Sequence, residues 1–173
     1  MSETVEHEHI VSVLVCNKPG VLRRVANLFA RRGFNISSIS VGEAKDPGLS
    51  RLTIVVRGND RIIEQIEKQL YKVIEVVKVS PIAPSPEKRV EREMALIKVQ
   101  IDEKTKLEIL QLVEIFRGKI IDVAKDGMIV EITGARSKVE AFIKLVESSG
   151  KIVEIARTGI VAMNRWNLSK KEA

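Results

Sequence analysis

The 173-residue sequence contains one cysteine, two histidines and only 3% aromatic residues, and each shortage removes a class of function. The single Cys16 excludes an internal disulfide and any cysteine-based zinc site within one chain. It ends the apolar run Ile10 to Cys16, and no histidine follows it, so a buried structural thiol is a better reading than a nucleophile. The histidines, His7 and His9, fall in "HEH", too short a set for a zinc site by itself. So few aromatics leave the strands without the stacking platform that single-strand RNA readers present. No run of about 18 apolar residues occurs, and the N-terminus "MSETVEHEHI" is acidic rather than basic followed by apolar. Neither a spanning helix nor a secretory signal is readable, so the expectation is a soluble, cytoplasmic protein with no membrane or nucleic-acid partner.

What is present suits small cores. Hydrophobic residues make up 45% of the chain, enough for one ordinary domain or two small ones. The net charge of +6 permits nucleic-acid binding without establishing it, because bases alternate with acids, as at Glu64, Glu67 and Lys68, in the pattern of a solvated face. Asp122, Asp126 and Glu131 are scattered over one hairpin and read as surface, so no catalytic and no metal-binding set emerges.

Periodicity then orders the chain. "IVSVLVC" reads as a buried strand, and after Asn17-Lys18-Pro19-Gly20 the spacing becomes helical, with Val21, Leu22, Val25, Leu28 and Phe29 on one face. Gly33 fits a left-handed cap. "NISSISVGEA" and "RLTIVVRG" form a hairpin about "KDPGLS", and Asn59 or Asp60 caps a second helix whose apolar positions are Ile62, Ile63, Ile66 and Leu70. "VIEVVKVSPI" supplies a fourth strand.

The same order returns after the proline- and charge-rich "SPIAPSPEKRVERE": strand 95–101, helix 104–116, a hairpin of 119–124 and 128–133, helix 137–148 and strand 151–157. Setting Gly58 on Gly134 aligns Ile66 with Phe142, Val77 with Val153 and Val79 with Ile155, and Gly33 resembles Gly118. The expected fold is α+β: two ferredoxin-like βαββαβ units in tandem, each a four-stranded antiparallel sheet with two helices on one face. The expected boundaries are a tail over 1–8, a first domain over 9–80, a linker over 81–93, a second domain over 94–165 and a tail over 166–173.

The repeats differ at one place. Where the first unit has Pro-Gly before its helix and an asparagine after its glycine, the second has "QIDEKTKLE" and lacks both. At a helix start the first N–H groups lack intrahelical acceptors and carry partial positive charge, which suits a carboxylate. Asn17 and Asn35 each offer an amide that donates and accepts, while Val21, Leu22 and Ile36 can surround an apolar side chain. The turn therefore reads either as a plain helix start or as one side of a small amino-acid site.

These residues also carry a resemblance. "NKPGVLRRVANLFARRGFNISSISV" and "LSRLTIVVRGNDRIIEQIEKQLYKVIEVVKV" are similar to ACT domains, the small-molecule sensors of amino-acid metabolism. "VEREMALIKV", "EIFRGKIIDVAKDG" and "KIVEIARTGIVAMNR" resemble the C-terminal half of the small, regulatory subunits of acetolactate (acetohydroxyacid) synthase. The resemblance spans about His9 to Arg165. It implies a homodimer whose ACT units pair side by side and bind a feedback amino acid, typically valine, at their interface. Asn17, Gly20, Val21 and Leu22 match one side of that site, and Asn35 and Ile36 match the facing side, supplied by the second chain. It further implies a non-catalytic chain without cofactors that activates a catalytic large subunit carrying thiamine diphosphate, Mg²⁺ and FAD. Cys16 and Ser37-Ser38 depart from the acidic residue and Glu-Ser pair usual in that family. A related sensor acting on another enzyme or on transcription is the alternative, although no helix-turn-helix segment is left over once both repeats are assigned.

Overall fold

The computed structural model describes residues 7–166. The first unit runs β1 (His7–Cys16), α1 (Val21–Arg31), β2 (Ile36–Glu43), β3 (Leu49–Gly58), α2 (Asp60–Leu70) and β4 (Val76–Ile82), with antiparallel sheet order β2-β3-β1-β4. Alternation decides which face is apolar: Val11, Val13 and Val15 of β1 and Leu52, Ile54 and Val56 of β3 point to one side. There they meet Val21, Val25 and Phe29 of α1 and Ile66 and Leu70 of α2 in one buried core. Asn59 caps α2, its side-chain oxygen accepting the Ile62 N–H at 3.2 Å. Pro81 is tolerated because β4 lies at the sheet edge.

Helix α1 ends as its sequence predicts. Gly33 takes φ 70°, its N–H donating to the Ala30 carbonyl at 3.1 Å, while the Phe34 N–H donates to the Phe29 carbonyl at 3.0 Å. This is the Schellman pattern, and its usual apolar contact is present: Phe34 packs edge-on against Phe29, ring centroids 6.4 Å apart.

The second unit runs β5 (Arg89–Gln100), α3 (Thr105–Ile115), β6 (Lys119–Val123), β7 (Gly127–Gly134), α4 (Arg136–Ser149) and β8 (Lys151–Arg157), ordered β6-β7-β5-β8. Ala95, Ile97, Val99, Val130 and Ile132 face Ile109 and Val113 of α3 and Val139, Phe142 and Val146 of α4. The buried Glu93 carboxylate accepts two hydrogen bonds from Arg157, at 2.8 and 2.6 Å, tying β5 to β8.

Two details of the repeat differ from the sequence alignment. Helix α3 leaves through Arg117 at φ 52°, with the Gly118 N–H donating to the Val113 carbonyl at 2.7 Å, so Arg117 is the counterpart of Gly33. Gly118 serves another purpose: a Cβ there would come within 3.1 Å of the Glu131 carbonyl oxygen. At the last strands, Val11 and Ile97 are equivalent, facing Ile54 and Val130, so their neighbours Ser12 and Lys98 match as well. Ser12 lies opposite Ser80 and Lys98 opposite Glu154, so Ser80 corresponds to Glu154 and Val79 does not correspond to Ile155. Val79 is accordingly buried and Ile155 exposed, the shift arising because a single residue joins α4 to β8 where five join α2 to β4, which more than offsets the greater length of α4.

The boundaries also differ from those expected. Of the described residues, one compact unit comprises 7–90 with 160–166 and the other 91–159. Residues 160–165, assigned from sequence to the second domain, contain an additional strand, β9 (Val161–Asn164), which pairs with β5 to make the second sheet five-stranded. Ile160 and Ala162 are buried with Ile10, Val55 and Ile82, which is why this segment belongs with the first unit. Asn164 ties it down further, its Oδ1 accepting the Ala83 N–H at 2.8 Å and its Nδ2 donating to the Pro81 carbonyl at 3.3 Å. Most of the expected linker is strand, residues 81–82 ending β4 and 89–93 opening β5. His7 and Glu8, expected in a tail, already pair with Gly58 and Arg57. The rest of both expected tails, residues 1–6 and 167–173, lies outside the described residues.

Ile160→Ala removes a buried side chain from this second cluster and should cost about 2–4 kcal/mol. Hydrogen exchange should show the loss of protection in β1, β3 and β4 rather than in β6 to β8, the reverse of what the sequence-derived boundary implies.

Candidate functional site

The end of β1 is fixed from two sides, the Cys16 N–H donating to the Glu75 carbonyl at 2.8 Å and the Asn17 N–H to the Gly48 carbonyl at 2.7 Å. The chain then turns through exposed Asn17, Lys18, Pro19 and Gly20 into α1. Gly20 is the N-cap and takes φ 83°. A Cβ there would meet only the Arg24 guanidinium at 3.6 Å, so backbone conformation rather than crowding calls for glycine. No side chain caps α1. The nearest cation is restrained: Arg24 donates to both Glu75 carboxylate oxygens, at 3.1 and 2.6 Å.

The candidate residues divide into two groups. Asn17, Gly20 and Leu22 surround the helix entrance, with Leu22 48% exposed. Val21 does not line it, because its side chain is buried in the unit's own core and only its backbone stands at the entrance. Asn35, exposed, and Ile36, half-buried, follow the other end of α1. The helix has 11 residues, so roughly 16 Å separates the two groups, too far for one amino acid to bridge within a single chain. A cavity of about 550 Å³ in this unit, lined by residues including Asn27, Arg31, Arg32, Gln69 and Lys72, contains none of the six.

The corresponding entrance in the second unit is filled from within. Asp102 Oδ1 accepts the backbone N–H groups of Lys104 at 2.9 Å and Thr105 at 2.8 Å, and the Asp102 N–H donates to Thr105 Oγ1 at 3.0 Å. This reciprocal box places a carboxylate on the first N–H groups of α3, and those bonds hold the Asp102 carboxyl below the usual carboxylate range, the Thr105 backbone N–H contributing most. Sequence reasoning missed it, although "DEKT" carries the Asp-x-x-Thr spacing of such a box. One helix start thus holds its own carboxylate, and the other has no side-chain cap.

The remaining candidates from sequence have structural surroundings. Cys16 is half-buried, and a His9 ring nitrogen lies 2.9 Å from the Gly58 carbonyl oxygen. Among the described residues no group of three or more His, Cys, Asp or Glu side chains can hold a metal ion, and no helix is long and apolar enough to cross a membrane.

Comparison with known proteins adds identity to this geometry. Residues 11–78 match the family model described as an AHAS small subunit-like ACT domain, and residues 92–166 match that of the small subunit of acetolactate synthase. The chain is 53% identical to a probable acetolactate synthase small subunit of Archaeoglobus fulgidus, over 92% of this chain and 98% of that one. It is 50% identical to the corresponding protein of Methanothermobacter thermautotrophicus, over 95% and 97%. A crystal structure of the acetolactate synthase small subunit from Thermotoga maritima is 73% identical and superposes with a TM-score of 0.88, covering 93% of this chain and 99% of that one.

The Asp102 box has a pH signature. A carboxyl held below its unfolded value stabilises the fold above about pH 4, and that contribution is lost as pH falls through the folded value. Thermal unfolding of Asp102→Ala should therefore show a lower Tm than the parent chain at neutral pH, with the gap closing under acid.

Proposed function

Because the chain belongs to the acetolactate synthase small-subunit family, we propose that it is the regulatory, non-catalytic subunit of that enzyme and senses valine or a related branched-chain amino acid. In this reading its partner is the catalytic large subunit, which carries thiamine diphosphate, Mg²⁺ and FAD. The observation that supports it most is the contrast between the two helix starts. Where Asp102 supplies α3 with a carboxylate, α1 has exposed Gly20 and no side-chain cap, leaving room for the carboxylate of a free amino acid.

The second half of the site comes from a second copy. Strand β2 is a sheet edge whose exposed apolar residues, Ile39 and Val41, alternate with serines and carry no charge from Ile36 to Gly42. Such an edge invites pairing. A two-fold axis that sets β2 antiparallel to its equivalent also runs the two α1 helices in opposite directions. The start of one α1 then lies beside the end of the other, and Asn17, Gly20 and Leu22 meet the partner's Asn35 and Ile36. The two amides take the ammonium and the remaining carboxylate oxygen, and Leu22 and Ile36 cover a branched apolar side chain. Val21 contributes backbone only. An amino acid bound across this seam favours whichever paired arrangement it fits better, which couples its concentration to the activity of the large subunit.

Calorimetry on the full chain should show saturable valine binding that Asn35→Ala weakens roughly tenfold or more. Gly20→Asp should abolish binding by setting a negative charge against the ligand carboxylate, while Gly20→Asn, with the same backbone strain and no charge, should retain most of it. The paired test is activation of the large subunit, titrated with valine, leucine and isoleucine. Full activation by a chain that binds none of the three would overturn the sensing half and leave the subunit half standing.

A further inference from the structure

We infer that two copies of this chain also join through the second unit, strand β6 of one against β6 of the other, antiparallel, with Lys119 of each opposite Asp122 of its partner. The inference concerns a surface separate from the effector site and does not depend on ligand sensing.

Strand β6 ends the second sheet, paired with β7 on one side only. Its apolar residues are poorly covered: Ile120, Ile121 and Val123 are 37%, 56% and 58% exposed. Helix α3, which leads into it, is apolar around most of its circumference, since Ile109 and Val113 are buried while Leu107 and Ile115 stand 67% and 72% exposed. A helix with apolar residues beyond its core-facing side has a second face to cover.

The internal repeat says where this edge sits. In the first unit Ile39 lies opposite Ile54 and Val41 opposite Leu52; in the second Ile120 lies opposite Val130 and Val123 opposite Met128. Thus Ile120 and Val123 occupy the places of Ile39 and Val41. The flanking positions differ, Ser38 and Ser40 of β2 giving way to Lys119 and Asp122, which lie opposite Glu131 and Ile129.

Charge and register identify the occupant. Lys119 and Asp122 share one face, because their β7 partners are two residues apart. Ile121 is the extra residue of a bulge between them. An antiparallel copy centred between Ile120 and Ile121 sets Ile120 against Ile121 and Lys119 against Asp122, twice over. A register that sets Lys119 against Lys119, or Asp122 against Asp122, brings like charges together. Pairing β6 with β2 would leave both charges facing serines, so the charged pair favours β6 with its own copy over the other edge of the same chain.

The test uses full-length chains carrying Cys16→Ser, co-expressed with Lys119→Cys in one and Asp122→Cys in the other. Mild oxidation should link the two kinds of chain in preference to like chains, and much faster than a control pair at exposed Lys144→Cys. In a chain whose β2 edge is disabled by Ile39→Lys and Val41→Lys, sedimentation equilibrium should still detect a dimer. There Asp122→Lys should weaken association roughly tenfold, and adding Lys119→Asp should restore it. Cross-linking no faster than the control, or a β2-disabled chain that is folded by circular dichroism yet monomeric at all concentrations, would overturn the inference. Failure of valine binding would leave it untouched.

Discussion

A four-stranded sheet with both helices on one face has one bare face and two unpaired edges, and much of this structure answers to that constraint. The helical side is closed in both units by the same register of valines and isoleucines. The bare side of the first sheet is covered in part by Ile160 and Ala162, which return from the far end of the chain onto Ile10, Val55 and Ile82. The edges β2 and β6 receive no strand from within the described chain. Edges of this kind are hazards unless something covers them, and the pairings proposed for β2 and β6 would cover both.

Duplication has given the two halves one scaffold and two chemistries. Helix starts concentrate unpaired N–H groups wherever they occur, so each βα junction faces the same electrostatic problem. Asp102 answers it locally and permanently in the second unit. The first unit leaves it to its surroundings, and a site closed by the chain's own carboxylate cannot report on the concentration of anyone else's. Regulation in this reading lies in an omitted cap.

Much of the fold was readable because local signals and burial agree. The alternation around Val11–Val15 and Leu52–Val56, the Asn59 cap and the Gly33 stop all appear where their chemistry requires. Apart from the Asp102 box, whose signal is local, most of what escaped reading depends on partners distant in sequence. Arg117 adopts the left-handed conformation expected of a glycine, while Gly118 is needed for a carbonyl on the neighbouring strand. Strand β9 is four residues long and acquires its meaning only from Asn164 and the apolar patch it covers. At the candidate site, Asn17, Gly20 and Leu22 lie where their spacing suggested. Val21 is claimed by the core, and the distance to Asn35 follows from helix length that spacing alone does not convey.

The return of Ile160 and Ala162 has a consequence for how the protein is made. As the chain leaves the ribosome, β1 to β4 can assemble early, but the patch at Ile10, Val55 and Ile82 stays wet until residue 162 has emerged. All of β5 to β8 is synthesised in that interval. The segment around residue 162 is therefore needed by both halves, closing the apolar patch of the first and adding the fifth strand to the second, and neither is finished until it has been made.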